Sequence, residues 1–178
     1  MLLRRLMPAD AAEYRRLRLS ALREAPTAFG RSYAEESLHD LSFFAARLEN
    51  TADQWTVGAF SGRRLVGIIS LVRDQPLKAH HKATLWGMYV APRWRQRSIG
   101  RELIEHIIAI ARTLDGLKVL RLGVVSANRP AVKLYTACGF RTYGEEPLAL
   151  CVDGKYYAEK LMALVLTRAI RRPRAPAR

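Results

Sequence analysis

Residues 85–104 read LWGMYVAPRWRQRSIGRELI, and the change from apolar to basic and back to apolar within them decides the fold. Ahead of Pro92, the segment ATLWGMYV has the aromatic and β-branched content of a strand. From Ile99 onward the apolar positions Leu103, Ile107, Ile110 and Leu114 recur at helical spacing. A strand, a loop and a helix follow one another. The loop carries Arg93, Arg95, Arg97 and Arg101 and no acid. The first turn of a helix has backbone N–H groups without intrahelical acceptors, and its aligned peptide dipoles add partial positive charge, so phosphate is received there. Gly100 is expected to let a pyrophosphate approach the main chain, while Ser98 is small and carries a hydroxyl donor. Taken alone, the segment reads equally well as an exposed helix start with basic neighbours. The sequence contains neither G-x-x-x-x-G-K-[ST] nor G-x-G-x-x-G, which weighs against ATP chemistry and dinucleotide redox.

Working outward, residues 2–7 read as a first strand and Asp10 as the N-cap of a helix over about 10–24, ended by Pro26. A second helical stretch carries Leu41, Phe44, Ala45 and Leu48. QWTVGAF and RLVGIISLV form an antiparallel hairpin around Ser61-Gly62-Arg63. Downstream come the strand VLRLGVV, a short helix from Ala131 to Cys138 stopped at Gly139, and two strands over about 140–150 and 155–166. Asp153-Gly154 between those last strands is a type I′ turn signal. The order β α α β β β α β α β β is that of an α/β domain, a mixed sheet with helices on its faces.

Composition narrows the class. In 178 residues the hydrophobic share is 49% and the charged share 26%, as expected of one folded domain, and no apolar run is long enough to span a bilayer. The start, MLLRRLMPADAAEYRR, lacks the apolar centre of a secretory signal, so a cytoplasmic protein is expected. Cys138 and Cys151 have no short-spaced metal-ligating partners, and no metal site is expected. Thirty Lys+Arg against 16 Asp+Glu give +14, which suits phosphorylated or polyanionic ligands. Five arginines from Arg168 to Arg178 form a basic, proline-containing tail beyond a domain over 1–167. It reads better as a solvated terminus than as a nucleic-acid arm. No recognised nucleic-acid motif accompanies the charge, so nucleic acid is disfavoured as a partner.

With the strand ahead of it, the loop Arg95-Gln96-Arg97-Ser98-Ile99-Gly100 resembles the acetyl-CoA-binding core of the GNAT N-acetyltransferase superfamily, whose pattern is [Q/R]-x-x-G-x-[G/A]. Ser98 replaces the first glycine. A second block, Asn128 to Phe140, is similar to the family's N-x-x-A-x-x-L-Y-x-x-x-G-F segment at all six defining positions. The resemblance covers about residues 2–166 and implies a mostly antiparallel sheet of about seven strands flanked by about four helices, with acetyl-CoA as cosubstrate. It further implies that Met88, Tyr89 and Val90 offer backbone groups to the pantetheine arm, and that after Arg95 the amides of Gln96, Arg97, Ser98, Ile99, Gly100 and Arg101 take the pyrophosphate. Asn128 then lies near the pantetheine end, Ala131 and Leu134 flank CoA, and Tyr135 faces the sulfur. Arg93 or Arg129 is left to reach the ribose phosphate.

The implied reaction is direct attack of an amine on the thioester, with Tyr135 as the acid that protonates the departing thiolate. A phenol of ordinary pKa about 10 is protonated at neutral pH and suits that role. Family members that use a base often carry a glutamate on the fourth strand, and ATLWGMYV has no carboxylate. Glu35, Glu36, Glu145, Glu146, His80 and His81 are the sequence candidates, with a water chain as the alternative. Phe29, Tyr33, Phe43, Phe44, Tyr156 and Tyr157 come from segments that surround the acceptor in the family and are either core or an aromatic pocket. Cys138 reads as a packing residue, and His106 as a lone helical histidine. The acceptor is a small amine or a protein amine, and analogy with relatives suggests a homodimer. The alternative is a non-catalytic acyl-CoA-binding sensor.

Overall fold

Ile99, Leu103, Ile104, Ile107, Ile108 and Ala111 fall on one stripe of a helix, and all are buried. At about 1.5–3 kcal/mol for each large aliphatic side chain removed from water, that stripe fixes the helix to a sheet. The computed structural model describes residues 1–49 and 51–166. The basic tail from Arg168, and with it the expected boundary at 167, lies outside the described residues.

Seven strands, β1 (Leu2–Arg5), β2 (Gln54–Ser61), β3 (Arg64–Arg73), β4 (Lys82–Val90), β5 (Val119–Val125), β6 (Arg141–Val152) and β7 (Lys155–Val165), form one sheet ordered β1-β2-β3-β4-β5-β7-β6. Every neighbouring pair is antiparallel except β4 and β5. Helices α4 (Ile99–Thr113) and α5 (Arg129–Ala137) share one face, in a core with Val57, Ile69, Leu85 and Leu122. Helices α1 (Ala11–Glu24), α2 (Tyr33–Ser37) and α3 (Leu41–Ala46) lie on the opposite face, where Tyr14, Leu17, Leu22 and Phe44 pack on Phe60, Leu65 and Ile68. Asp153 and Gly154 have φ of 50° and 73°, the pair of left-handed residues that a type I′ turn needs.

Two local expectations change. There are five α-helices among the described residues, because the second helical stretch is preceded by the short α2. Five residues give no hydrophobic period to read, but its cap was legible: Ser32 accepts from the Glu35 amide while Glu35 accepts from the Ser32 amide. Asp10 occupies the N-cap of α1 without capping it. Its carboxylate is held by both terminal nitrogens of Arg4, each at 2.7 Å, and accepts from the Met7 amide, so it ties β1 to the helix instead.

The feature that positions a site is the short β4–β5 ladder. The strands pair only at Lys82 with Val119, Ala83 with Leu120 and Thr84 with Arg121, and beyond that they have no register with each other. The sheet therefore forks, its apex just past Thr84 and Arg121 and its open end at Val90 and Val125. Beside the apex β4 carries a bulge, where register against β3 shifts between Tyr89 and Trp86 and Gly87 takes φ +63°, a conformation that favours glycine.

Candidate active site

At the open end of the fork the chain leaves β4 and enters α4 through a loop with two left-handed residues. Gln96 and Ser98 both adopt the left-handed conformation, with φ of 60° and 61°, and Ser98 is the N-cap of the fifteen-residue α4. Alternation of left-handed with ordinary residues turns successive N–H groups toward one point, and the helix dipole adds to their charge. Ser98 makes no side-chain cap bond. Its position explains the glycine of the pattern it departs from: a non-glycine residue in that conformation costs about 1–2 kcal/mol.

The expected cofactor residues divide by what their side chains already do. Gln96, Arg97 and Ser98 are exposed, and the Arg97 guanidinium stands 5.1 Å from the Trp94 ring. Ile99 is buried in the core, so only its backbone faces outward chemistry. Arg101 pairs with Glu105 at 2.8 Å along the helix. Arg95 is committed elsewhere: its Nε donates to the Val90 carbonyl at 2.9 Å and its Nη2 meets Glu24 Oε2 at 2.9 Å. The same Glu24 oxygen accepts from the Tyr89 hydroxyl. Arg95 thus fastens the loop to β4, through the Val90 carbonyl, and to the end of α1. Burial, then the Glu24 hydrogen bond, push the Tyr89 phenol up to about 12, so it stays protonated.

Gly100 has a packing reason of its own. A Cβ there would meet Met88 Cε at 2.9 Å and Leu134 Cδ2 at 3.2 Å. The glycine lets α4 start close against β4 and α5. Met88, Gly100 and Leu134 nevertheless come together as one wall of the fork, and Ala131 packs against the same core. Asn128 caps α5, its Oδ1 accepting from the Ala131 amide at 3.3 Å.

Tyr135, on α5, is buried on the α4 side of the fork with its ring edge-on to Phe140 at 5.9 Å. Among the described residues its hydroxyl has no hydrogen-bond partner. Burial, with Cys138 adding to it, drives its pKa well above the ordinary tyrosine value, so the group carries its proton at any physiological pH. Cys138 is itself pushed up, chiefly by burial, which makes it a poor nucleophile.

Most sequence candidates for a base are occupied. Glu35 belongs to the cap of α2. Glu36 is buried between Arg18, at 2.8 and 3.0 Å, and Arg47, at 3.1 Å. Burial pushes its carboxyl up, and the two arginines more than offset this and hold it below the usual range. Glu145 accepts from Ser126 and faces Lys160. His80 and His81 lie at the closed end of the fork, where the His81 carbonyl receives the amides of Lys118 and Val119. The six aromatics do not form one pocket. Phe29 and Phe44 are core, Phe43 stacks on His39 at 3.7 Å, Arg23 covers Tyr33 at 4.1 Å, and Tyr156 is exposed at the β6–β7 turn.

Sequence reasoning passed over Glu159. Its Oε2 lies 2.6 Å from where a Cβ of Gly123 would be, so the carboxylate rests on the bare backbone of β5. A glycine inside the strand pattern VLRLGVV was the available signal, since such a residue marks a close approach.

A family model described as the acetyltransferase (GNAT) family matches residues 16–140. Among curated proteins, the spermidine N(1)-acetyltransferase of Vibrio cholerae is 23% identical over 138 residues, 77% of this chain and 78% of that protein. The [ribosomal protein bS18]-alanine N-acetyltransferase of Salmonella typhimurium is 39% identical over 59 residues, 33% of this chain and 39% of that protein. Among solved structures, an acetyltransferase of the GNAT family from Streptococcus pneumoniae superposes with a TM-score of 0.82 at 26% identity, over 92% of this chain and 98% of that one. The fold is also that of yncA from Salmonella typhimurium, solved with its cofactor acetyl-CoA, at a TM-score of 0.80 and 20% identity over 99% and 98% of the two chains.

Proposed function

The chain belongs to the GNAT acetyltransferase family, and from that premise we propose that it moves the acetyl group of acetyl-CoA to a primary amine by direct attack. The observation that carries the reading is the pair of left-handed residues, Gln96 and Ser98, at the head of α4 and at the open end of the forked sheet. Backbone amides there receive the pyrophosphate. From Val90 back to Trp86 the strand rises roughly 13 Å, so a pantetheine arm lying along β4 carries the thioester toward the apex. The backbone of β4 from Leu85 to Tyr89, unpaired with β5, supplies the edge against which such an arm adds like a strand.

Bound acetyl-CoA supplies an activated acyl group and a thiolate leaving group. The chain supplies the proton: Tyr135, neutral and without a protein partner, donates to the sulfur as the C–S bond breaks. The relatives' names support an amine acceptor, since one is a spermidine N(1)-acetyltransferase and another a [ribosomal protein bS18]-alanine N-acetyltransferase. No helix among the described residues is long and apolar enough to cross a membrane.

The test is calorimetric titration with acetyl-CoA, followed by thiol release in the presence of a panel of primary amines. Tyr135→Phe is expected to bind acetyl-CoA as the wild type does and to lose about 10²–10⁴-fold in kcat, the usual range for a general acid. Absence of acetyl-CoA binding overturns the reading. Binding without turnover of any amine leaves a non-catalytic acyl-CoA-binding module.

A further inference from the structure

The fork has two faces, and Tyr135 acts from only one of them. On the other face, that of α1, the apex is marked by the last paired residues, Thr84 and Arg121, whose side chains meet at 3.4 Å. Two residues further along each strand, and so on the same face, stand Trp86 on β4 and Gly123 on β5. Trp86 is 57% exposed although it lies in the middle of the sheet, because no helix covers it. Gly123 is covered by the carboxylate of Glu159, which reaches across from β7. Any side chain at 123 would displace it. Glu159 therefore stands at the first open position of the fork, on the side away from the helix that carries Tyr135.

We infer that Glu159 is the carboxylate that receives the acceptor ammonium and takes its proton, supplying from β7 the base that β4 lacks. This rests on the acetyltransferase reading above. An amine entering from the α1 face meets Glu159 before it meets a thioester held between the strands, while the acid waits on the opposite face. One proton passes from R–NH3+ to Glu159 and on to solvent. The freed lone pair forms the C–N bond, and the electrons of the C–S bond leave with sulfur. Tyr135 delivers a proton to the thiolate and is restored, through water, by the second proton the nitrogen gives up, so the sum is amine cation plus acetyl-CoA giving amide, CoA–SH and one proton.

The surroundings of Glu159 fit a group that must exchange a proton. Among the described residues it has no hydrogen-bond or ion-pair partner, unlike Glu36 and Glu145. From β6, Glu146 is its cross-strand partner, a like charge. Along β5 the nearest cation on this face is Arg121, which Asp74 already neutralises at 2.6 Å. On its own strand Tyr157 and Leu161 share its face, and Lys160 points to the other face, toward Glu145. The turn at 26–28 that packs on β5 and β6 is Pro-Thr-Ala and brings no charge. At the β4 bulge the cation is Arg18, already bound by Glu36. Burial first, and Glu146 second, raise the Glu159 pKa above the ordinary carboxylate value, toward the range in which a base works.

The experiment compares wild type with Glu159→Gln in three readouts: acetyl-CoA binding by calorimetry, and kcat/KM and its pH profile with spermidine, phenethylamine and an alanyl peptide. Expected are an acetyl-CoA Kd within twofold of wild type, a loss of about 10²-fold or more in kcat/KM at neutral pH, and an acid limb that moves up in pH to follow the deprotonation of each free amine. A rate near wild type, or an acid limb in Glu159→Gln that stays where it lies in wild type, overturns the proposal. Failure of wild type to bind acetyl-CoA overturns the acetyltransferase reading and this inference with it. If wild type binds acetyl-CoA but acetylates none of the three amines, carbon-13 NMR of the glutamate carboxyls decides. A Glu159 resonance that titrates above its exposed counterparts and shifts when phenethylamine joins the acetyl-CoA complex upholds the assignment. An ordinary titration, or no shift, overturns it.

Discussion

The two faces of the fork are assembled in different ways. The α4 face is made from consecutive chain: β4, the loop at 91–98, α4, β5 and α5 follow one another from Lys82 to Ala137. The α1 face is gathered from the ends, with α1 and the 26–28 turn from the first thirty residues and the β6–β7 hairpin from the last described stretch. The first is a local motif in which residue type and spacing specify the loop and helix start proposed to receive the pyrophosphate. The second exists only through packing, and its parts are held by a few long-range polar contacts. Glu24 joins α1 to Tyr89 and Arg95, and Glu36 joins α1 to α2 and α3 through Arg18 and Arg47. One face is thus specified by sequence neighbours and the other by tertiary contacts.

The hardest blow to that second assembly is Glu36→Gln. Glu36 and Arg18 are both buried, with the Arg18 guanidinium 4.8 Å from the Phe29 ring centroid, so the variant strands a buried cation. A loss of about 3–5 kcal/mol is expected from breaking such a pair, read as a lowered Tm or denaturant midpoint. The sign with pH follows from the depressed carboxyl. The stabilisation is fully present above the ordinary carboxylate range and is lost as pH falls through the lower folded value. Glu36→Gln should therefore show a shallower loss of stability on acidification than wild type. An equal acid dependence would mean the α1 face is held by its apolar contacts alone.

This contrast also explains what could be read in the sequence. The strand-loop-helix at 83–113, the helix at 129–137 and both hairpins declare themselves by period and turn residues within a dozen positions. Glu159 does not. In KYYAEK it is one more polar residue of an alternating strand, and its place follows only from the register of β5 against β7, which sets Val125 opposite it and lets it lie diagonally over Gly123. Arg95 shows the reverse limit. Its motif position is legible, but that its guanidinium turns back to Val90 and Glu24 depends on where α1 ends.

Gly100→Ala sharpens the comparison within the local face, because it separates packing from anion contact. The new methyl would crowd Met88 Cε and Leu134 Cδ2, both the far ends of flexible side chains. Alanine in the first turn of a helix recovers about 0.5–1 kcal/mol, which offsets the repacking, so Tm should move little. The displaced Met88 moves into the wall of the fork, and acetyl-CoA affinity is expected to fall about tenfold, or 1.4 kcal/mol. Unchanged affinity would show that this wall does not touch the pantetheine arm.

The smallest effect belongs to Ser98→Gly, and it tests why a serine stands in a left-handed cap. If Ser98 is only a strained substitute, glycine relieves the φ of +61° and stability rises by about 0.5–1 kcal/mol, somewhat less than the full left-handed cost because glycine loses more freedom on folding. The amides of the loop keep their directions, so acetyl-CoA should bind within threefold of wild type. The alternative is that the hydroxyl, which caps nothing in the helix, is kept for a phosphate oxygen. A serine O–H to a charged acceptor contributes roughly 1.5–3 kcal/mol, which would appear as more than a tenfold loss of affinity in the same variant that gained stability. Opposite signs in the melting and binding measurements would assign Ser98 to the ligand, whereas a gain in stability with unchanged binding would assign the anion cradle to backbone alone.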